Sequence, residues 1–276
     1  MRGMDRSGTL DRLLVPPRAA AGIDRRATDA TLGAPGDKKA TEAASLALNQ
    51  ELAELQERLW AENRRSVLVV LQAMDAGGKD GTIRKVFGGV NPQGCRVTSF
   101  KAPTEEELAH DFLWRINKAT PRDGEIGIFN RSHYEDVLIV RVHDLVPRSV
   151  WSKRYAIINS FEANLAASGT TIVKLFLHIS KDEQAERFRK RLENPDKHWK
   201  FNTADLAERK HWDAYQEAFE DAITKTSTKV APWYVIPADR KWYRDWAVLS
   251  VLVETMRAMD PQFPAPSEDL SGIVVE

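Results

Sequence analysis

The stretch Ala73-Met74-Asp75-Ala76-Gly77-Gly78-Lys79-Asp80-Gly81-Thr82 directly follows the apolar run Ser66-Val67-Leu68-Val69-Val70-Leu71-Gln72. Such a continuous run, rich in β-branched residues, is typical of a strand buried on both faces of a parallel sheet. A strand, a glycine-rich turn that carries a lysine and then a helix make up the P-loop arrangement, in which backbone N–H groups and the helix dipole bind a phosphate. The stretch therefore predicts a phosphate-binding loop, with Lys79 as a mobile positive charge.

The loop departs from the usual Walker A pattern, G-x-x-x-x-G-K-[ST], at two positions. Ala73 replaces the first glycine, and Asp80 stands where a Mg²⁺-holding Ser or Thr is expected. An ordinary glycine-rich turn between a strand and a helix is the alternative interpretation. Asp75 would repel a bound phosphate, so its presence in the loop favours a role in holding Mg²⁺.

Short apolar runs alternate with helical stretches along the chain. Four runs resemble the first one, at residues 95–100, 125–130, 171–178 and 233–236. This alternation predicts an α/β fold with a right-handed, doubly wound parallel sheet of five strands flanked by helices. Open sheets of this kind bind ligands beyond the carboxyl ends of their strands, which is where the loop lies.

Apolar periodicity and capping residues predict the helices. The tryptophans Trp242 and Trp246 share one face of the last helix with other apolar residues, which favours core packing over a binding platform. The predicted helices are one with leucines at 48, 52, 55 and 59, one over 182–193 opened by a capping box of Ser180 and Glu183, one from Asn202 or Thr203 to about Ile223, and one after Asp239.

A second polar motif, Asn130-Arg131-Ser132-His133-Tyr134-Glu135-Asp136, ends another strand. In nucleotide kinases this strand end presents a metal-associated carboxylate and a phosphate-binding arginine. Here Asn130 takes the place of the carboxylate, and Arg131 would emerge beside the loop to meet a phosphoryl group. A structural salt bridge is the alternative for Arg131. For His133 we favour hydrogen bonding or substrate positioning, with core packing as the alternative.

A third motif, Arg187-Phe188-Arg189-Lys190-Arg191, lies on the helix that Ser180 caps. Arg187 and Arg191 are one turn apart and share a face. A bound polyanion would relieve the mutual repulsion of these positive charges. A cationic helical segment also suits a kinase lid, which neutralises the charge of the phosphates and excludes water. A solvated basic face paired with neighbouring glutamates is the alternative.

Composition argues against several other classes of protein. The 40 basic and 40 acidic residues cancel, which argues against broad nucleic-acid binding. The one cysteine, Cys95, excludes an intramolecular disulfide, and we expect an incidental or buried thiol. The amino terminus lacks a signal peptide's apolar region, and no apolar run approaches the roughly 20 residues of a membrane helix, so we expect a cytoplasmic protein without membrane partners.

The chain divides into three parts by composition. Residues 1–40, with several Pro, Gly and Ala, are predicted to form an extended or disordered arm. Residues 41–260 form a single kinase-like domain, with the helical lid at about 180–225, and residues 261–276 form a proline-containing tail at the surface.

Together the three motifs, with Asp196-Lys197-His198-Trp199-Lys200 after the third, resemble the second polyphosphate kinase family over roughly residues 45–260. The resemblance implies a thymidylate-kinase-like P-loop fold with a helical lid, dependence on Mg²⁺ with Mn²⁺ as a substitute, and reversible phosphoryl transfer between inorganic polyphosphate and nucleotides. Asn130 and Glu135 stand where many members have Asp and Asn. These departures resemble the branch that phosphorylates both AMP and ADP, giving ADP and ATP. A homo-oligomer, such as a tetramer, is also implied.

The resemblance assigns roles by position. Lys79 and Arg131 would hold the transferred phosphoryl group, and Arg187 and Arg191 would be the lid cations. Asp75 would bind the metal or the nucleotide phosphate, with a contribution of Asn130 to the metal left open. The residues expected to bind phosphate or polyphosphate are Ala76, Gly77, Gly78, Asp80, Gly81, Thr82, Arg84 and Lys85, and those expected at the nucleotide are His133, Tyr134, Glu135 and Asp136.

Three other functions compete with this one. An ATP-dependent nucleoside monophosphate kinase of similar fold normally has Ser or Thr after the loop lysine, and Asp80 speaks against it. A non-catalytic nucleotide-binding regulatory module would not need the arginine-dense lid. A polyphosphate-binding scaffold would not explain the Asn130-Arg131 pair at the end of a strand.

Overall fold

The structure is a computed structural model that describes residues 6–271, 273 and 275; the ends of the predicted arm and tail, residues 1–5, 272, 274 and 276, lie outside the described residues. The amino-terminal half contains the helices α1 (Arg6–Leu13), α2 (Lys38–Glu62), α3 (Lys79–Val86), α4 (Glu105–Leu108), α5 (Trp114–Asn117) and α6 (Ile139–Val142). The carboxy-terminal half contains α7 (Arg148–Ala167), α8 (Lys181–Glu193), α9 (Thr203–Glu208), α10 (Trp212–Thr226) and α11 (Lys241–Met259).

Within the described chain, one sheet of six strands forms the centre of the fold. The strands are β1 (Leu14–Val15), β2 (Ser66–Ala73), β3 (Cys95–Ser99), β4 (Ile126–Asn130), β5 (Thr170–His178) and β6 (Trp233–Pro237), in the spatial order β1-β6-β5-β2-β4-β3. The strands from β2 to β6 are parallel. They match the five predicted strands to within one residue at either end, because each is a short apolar run.

The sixth strand corrects the predicted count of five. Leu14 and Val15 pair antiparallel with Tyr234 and Trp233 at the edge of the sheet. Leu14 and Val15 are therefore anchored to the sheet, and Val15 and Ile23 lie in the core. A two-residue strand followed by isolated buried residues has no period, so the sequence offered no sign of it.

The helices cover both faces of the sheet, and α11 packs along α2. Leu52 and Leu59 of α2 and Trp246 of α11 are buried, as their periodicity predicts. Ser180 caps α8 by accepting a hydrogen bond from the Glu183 N–H.

The single helix predicted from residue 202 to about 223 is instead broken into three pieces. Between α9 and α10 the chain takes a 3₁₀ turn, Arg209–His211. The later part of α10 is buried, including Phe219 and Ile223, whereas most residues of the stretch 194–211 are exposed. We call residues 181–211 the lid segment.

The order of the strands places the loop after β2 at the centre of the molecule. β2 lies between β4 and β5, and the chain leads to β3 and β4 on one side of it and to β5 and β6 on the other. A crevice forms where the connections diverge in this way, beyond the carboxyl ends of the strands. The loop at Ala73–Gly81 and the end of β4 at Asn130 meet at this crevice.

Candidate active site

The loop after β2 has the backbone shape of a phosphate cradle. Ala76 and Gly78 adopt left-handed φ values of 57° and 100°, and Gly78 immediately precedes the first residue of α3. The Gly77 N–H closes a tight turn onto the Met74 carbonyl at 2.9 Å, and a Cβ at Gly77 would overlap this carbonyl. The amino terminus of α3 therefore faces the crevice, and its orphan N–H groups and dipole favour an anion there.

The crevice contains a cavity of about 780 Å³ with a strongly positive lining. Among the described residues, the lining includes four aspartates against twelve cations, although the whole chain has no net charge. The cations are Lys79, Arg84, Lys85, Lys101, Arg131, Arg187, Lys190, Arg191, Lys197, Lys200, Lys241 and Arg244. Such a concentration of one sign of charge suits a polyanionic ligand.

Lys79 lies at the base of the cavity, where its Nζ donates a hydrogen bond to the Ala73 carbonyl at 3.1 Å. Burial, followed by the nearby positive charge of Arg131, lowers the pKa of Lys79 from its ordinary value of 10.5. An approaching phosphate would favour the charged form and reverse these effects. Lys79 is thus poised to interact strongly with an anion.

Arg131 reaches the loop from the end of β4. Its backbone takes a left-handed φ of 63°, and its N–H donates to the Leu71 carbonyl at 3.1 Å. Its guanidinium donates to the Asp75 carboxylate at 2.8 Å. Glu135 lies nearby, and burial raises its pKa. Glu135, Asp75 and Arg131 also line a smaller adjoining cavity of about 170 Å³, together with Tyr215.

Asp80 and Asn130 are brought together although 50 residues separate them. The Asn130 amide donates to Asp80 Oδ1 at 2.8 Å, and Lys200 of the lid segment donates to Asp80 Oδ2 at 3.1 Å. Burial raises the pKa of Asp80, but these two hydrogen bonds and the positive charges of Lys200 and Lys79 together outweigh it, and the net shift is downward. The phosphate loop, the end of β4 and the lid segment thus meet at one carboxylate.

The two predicted lid arginines have different environments. The Arg187 guanidinium is almost fully buried and donates to the carbonyls of Ala76 at 3.0 Å and Ala238. Arg191 is more exposed and pairs with Asp205, with 3.7 Å between Nη1 and Oδ2. Arg187 therefore holds the phosphate loop in place, whereas Arg191 keeps more of its charge available to a ligand.

Five predicted site residues do not line the main cavity, and one of them, Glu135, lines the smaller cavity instead. His133, Tyr134 and Thr82 are wholly buried. Asp136 pairs instead with Arg154 at 2.9 Å, and burial raises its pKa to about 6. His133 and Tyr134 lie in the core, so neither side chain is accessible to a nucleotide in this structure.

Several cations of the cavity were missed in the sequence. Lys241 and Arg244 come from the first turn of α11, which follows β6 at the same edge of the sheet as the loop. Arg244 is nearly buried, pairs with Asp245, and contacts Gly78 so closely that a Cβ there would overlap its guanidinium. The sequence signal was two cations three residues apart in the first turn of the helix that follows β6, but the tryptophans beside them are more typical of a core-facing helix.

The thiol of Cys95 takes no part in this site. It lies on β3, and burial raises its pKa to about 12. A thiol that stays protonated is a poor nucleophile, in line with the expectation from the sequence.

The oxygen atoms at the cleft suit a hard divalent cation that takes only one or two of its ligands from the protein. Oxygen ligands are available from Asp75, Asp80 and Asn130, which all line the cavity. Within residues 6–271, 273 and 275 no cluster of three or more His, Cys, Asp or Glu is arranged to hold a metal by itself. Mg²⁺ characteristically uses one or two carboxylates, with water and substrate phosphates completing its shell.

A parallel sheet whose central strand ends in a glycine-rich loop, beneath an arginine-bearing helical segment, defines a P-loop kinase-type phosphotransferase. The chain belongs to the polyphosphate kinase 2 family, whose family model, "Polyphosphate kinase 2 (PPK2)", matches residues 36–264. The resemblance inferred from the three motifs is thereby confirmed.

Individual relatives agree with this assignment. A Meiothermus ruber protein named "AMP/ADP-polyphosphate phosphotransferase" is 57% identical over 262 residues, which cover 95% of this chain and 98% of that protein. A Rhodopseudomonas palustris protein named "ADP-polyphosphate phosphotransferase" is 50% identical and covers 78% of each chain. The crystal structure of Polyphosphate Kinase 2 from Arthrobacter aurescens TC1 matches with a TM-score of 0.91 at 45% identity, covering 95% of this chain and 93% of that one.

None of the helices in the described part of the chain combines the length and apolarity that crossing a bilayer requires.

Proposed function

We propose that this protein transfers the terminal phosphoryl group of inorganic polyphosphate to AMP and to ADP, giving ADP and ATP, and that the reaction is reversible. The observation that carries the proposal is the cationic cavity at the phosphate loop, which is larger and more positive than a single phosphate needs. The name of the Meiothermus ruber relative supports the use of both acceptors.

The chemistry follows from positioning and charge. Lys79 and Arg131 would contact the oxygens of the transferring group from two sides of the cleft, and Arg191 would approach from the lid segment. The acceptor phosphate needs no general base, because its second pKa of about 6 leaves it ionised at neutral pH. The chain beyond the reacting phosphate would lie along Arg84, Lys85 and the cations of α11.

The divalent cation is proposed to be Mg²⁺, with Mn²⁺ as a substitute. Asp75 would hold it, and Asn130 and Asp80 are close enough to the loop to contribute an oxygen directly or through water. When bound, the ion would neutralise phosphate charge and orient the reacting groups. Arg131, which pairs with Asp75 in this structure, would then be free to turn to the phosphoryl group.

The decisive experiment supplies AMP or ADP with Mg²⁺ and polyphosphate, omits ATP as donor, and follows ADP and ATP by chromatography. Product with each acceptor is expected, and Lys79→Ala should abolish it. No product with either acceptor would refute the proposal. Formation of ADP only when ATP is supplied with AMP would favour the ATP-dependent monophosphate kinase instead.

The remaining parts of the proposal concern context. We expect a homo-oligomer, which light scattering on the purified protein would detect, and a cytoplasmic location beside the pools of AMP and ADP. Opening and closing of the lid segment over the cleft is likewise proposed, as is the division into arm, kinase-like domain and tail.

A further inference from the structure

A fully buried ion pair lies beneath the turn that follows β4. Lys174 of β5 donates to Glu162 of α7 with 2.6 Å between Nζ and Oε2, and neither side chain is more than 1% exposed. Lys174 also donates to the Tyr134 hydroxyl at 2.8 Å and to the Thr226 carbonyl at 2.7 Å. Buried ion pairs are often replaceable by apolar residues without loss of stability, so stability alone is a weak reason for this one.

The pair holds the turn directly after Arg131. The Tyr134 hydroxyl donates to Glu162 Oε1 at 2.8 Å, and His133 Nε2 lies 3.2 Å from the same oxygen. Ser132, also wholly buried, is bonded to the Gln72 side chain at 3.0 Å. Each of the three residues that follow Arg131 is therefore tied to a buried partner on β2 or α7.

Arg131 itself has a backbone conformation that needs such support. A left-handed φ costs energy for any residue with a Cβ, and it persists where the surrounding structure over-determines it. Asn63 and Asp260 also have positive φ values, but both end helices, where Asn and Asp tolerate this conformation. Arg131 instead directly follows strand β4 and lines the cleft.

We propose that Lys174, Glu162 and Tyr134 form a positioning network that holds the turn after β4, and with it the left-handed backbone of Arg131 from which the guanidinium reaches the transferring phosphoryl group. The proposal rests on the function proposed above. None of the three side chains touches the substrate: they act through Arg131. It also explains why the polar residues His133 and Tyr134 follow Arg131 although they lie in the core.

The test begins with Tyr134→Phe, which removes one hydroxyl and keeps the ring. We expect kcat to fall about 10- to 100-fold, because a displacement of about 1 Å at a reacting group has effects of this size. The KM for ADP should change much less. The matched control is Tyr243→Phe, since Tyr243 is equally buried and its hydroxyl donates to the Leu32 carbonyl on the arm. Its kcat should stay within about twofold of wild type.

A double-mutant cycle distinguishes positioning from general loosening of the core. If the network acts through Arg131, Tyr134→Phe should lower kcat in the wild type and have no further effect in an Arg131→Ala background. An equal loss in both backgrounds, a loss as large in Tyr243→Phe, or a wild-type kcat in Tyr134→Phe would each overturn the proposal. Glu162→Gln goes through the same cycle, so that the test does not depend on one variant folding.

The wild type, Tyr134→Phe, Arg131→Ala and the double variant are also titrated with tripolyphosphate by calorimetry. This measures the Kd for a polyanion and needs no turnover. An inactive wild type would refute the proposed function, but the positioning network would still predict a weaker Kd in Tyr134→Phe and no additional change when Arg131 is absent. With an inactive wild type, an unchanged Kd in Tyr134→Phe would refute the network as well. With an active wild type, an unchanged kcat in Tyr134→Phe would refute the network alone.

Discussion

Asn130 donates a hydrogen bond to Asp80, with 2.8 Å between Nδ2 and Oδ1. These are two of the positions at which the sequence departs from the familiar pattern of nucleotide kinases. With an aspartate at 130, two carboxylates would stand at hydrogen-bonding distance and repel each other. The amide removes this repulsion and donates to the remaining carboxylate, so the two departures compensate each other.

Asn130→Asp should therefore weaken the use of polyphosphate. We expect kcat/KM for polyphosphate to fall about tenfold at neutral pH and low salt, because a second carboxylate in the cleft repels the polyanion. Steady-state rates at fixed Mg²⁺ and rising polyphosphate measure it. Asn91→Asp is the control, since it adds the same charge at an exposed cap where Asp is equally acceptable. Equal kinetics for the two variants would contradict the pairing.

Alanine substitutions of the two lid arginines should have different effects on stability and activity. Arg187→Ala removes buried hydrogen bonds to the carbonyls of Ala76 and Ala238, and we expect the free energy of unfolding to fall by about 2–3 kcal/mol. Arg191→Ala removes a more exposed pair and should cost less than about 1 kcal/mol while lowering kcat. Urea denaturation and initial rates on each variant measure both effects. Equal losses of stability would show that the two residues are equivalent after all.

Most of the fold was predictable because each parallel strand is a short apolar run between polar segments. The edge strand Leu14–Val15 was not, since two residues carry no pattern. The break at Arg209–His211 was also missed, because no proline or glycine marks it. Its position reflects the packing of α10 against the core, a tertiary effect that local propensity does not contain.

The sequence predicted those residues of the site that belong to its motifs. The loop and Arg131 meet because strand ends of a parallel sheet share an edge. Arg244 was missed because its approach to Gly78 depends on the docking of α11. Polar residues such as His133 suit either a cleft or a buried network, and sequence alone does not distinguish exposure from burial.

Two glycines of the loop should respond differently to alanine. Gly78→Ala forces a left-handed residue with a Cβ against Arg244, and we expect a loss of at least about 1–2 kcal/mol together with lower activity. Gly81 lies inside α3, with the nearest atom to an added Cβ 3.7 Å away. Gly81→Ala should leave stability unchanged or raise it by up to about 1 kcal/mol. Thermal unfolding of the two variants compares them, and similar melting temperatures would contradict the close approach of Arg244.

The lowered pKa of Lys79 predicts a particular dependence of activity on pH. Burial and the charge of Arg131 favour the neutral amine, so kcat/KM for polyphosphate should decline at a pH below the ordinary lysine value of 10.5. Bound phosphate favours the ammonium form, and the decline in kcat should therefore lie at higher pH than the decline in kcat/KM. Rate profiles from neutral pH to about pH 10 test both statements.

Lys79→Arg separates this lysine from other groups that titrate in the same range. A guanidinium stays protonated throughout, so the variant should be slower but should lose the alkaline decline in kcat/KM. The same variant also tests the fit of the cradle, because an arginine is bulkier than the lysine that bonds Ala73. If the alkaline decline in kcat/KM persists unchanged in Lys79→Arg, another group controls it. The charge of Lys79 would then not be the one on which the use of polyphosphate depends.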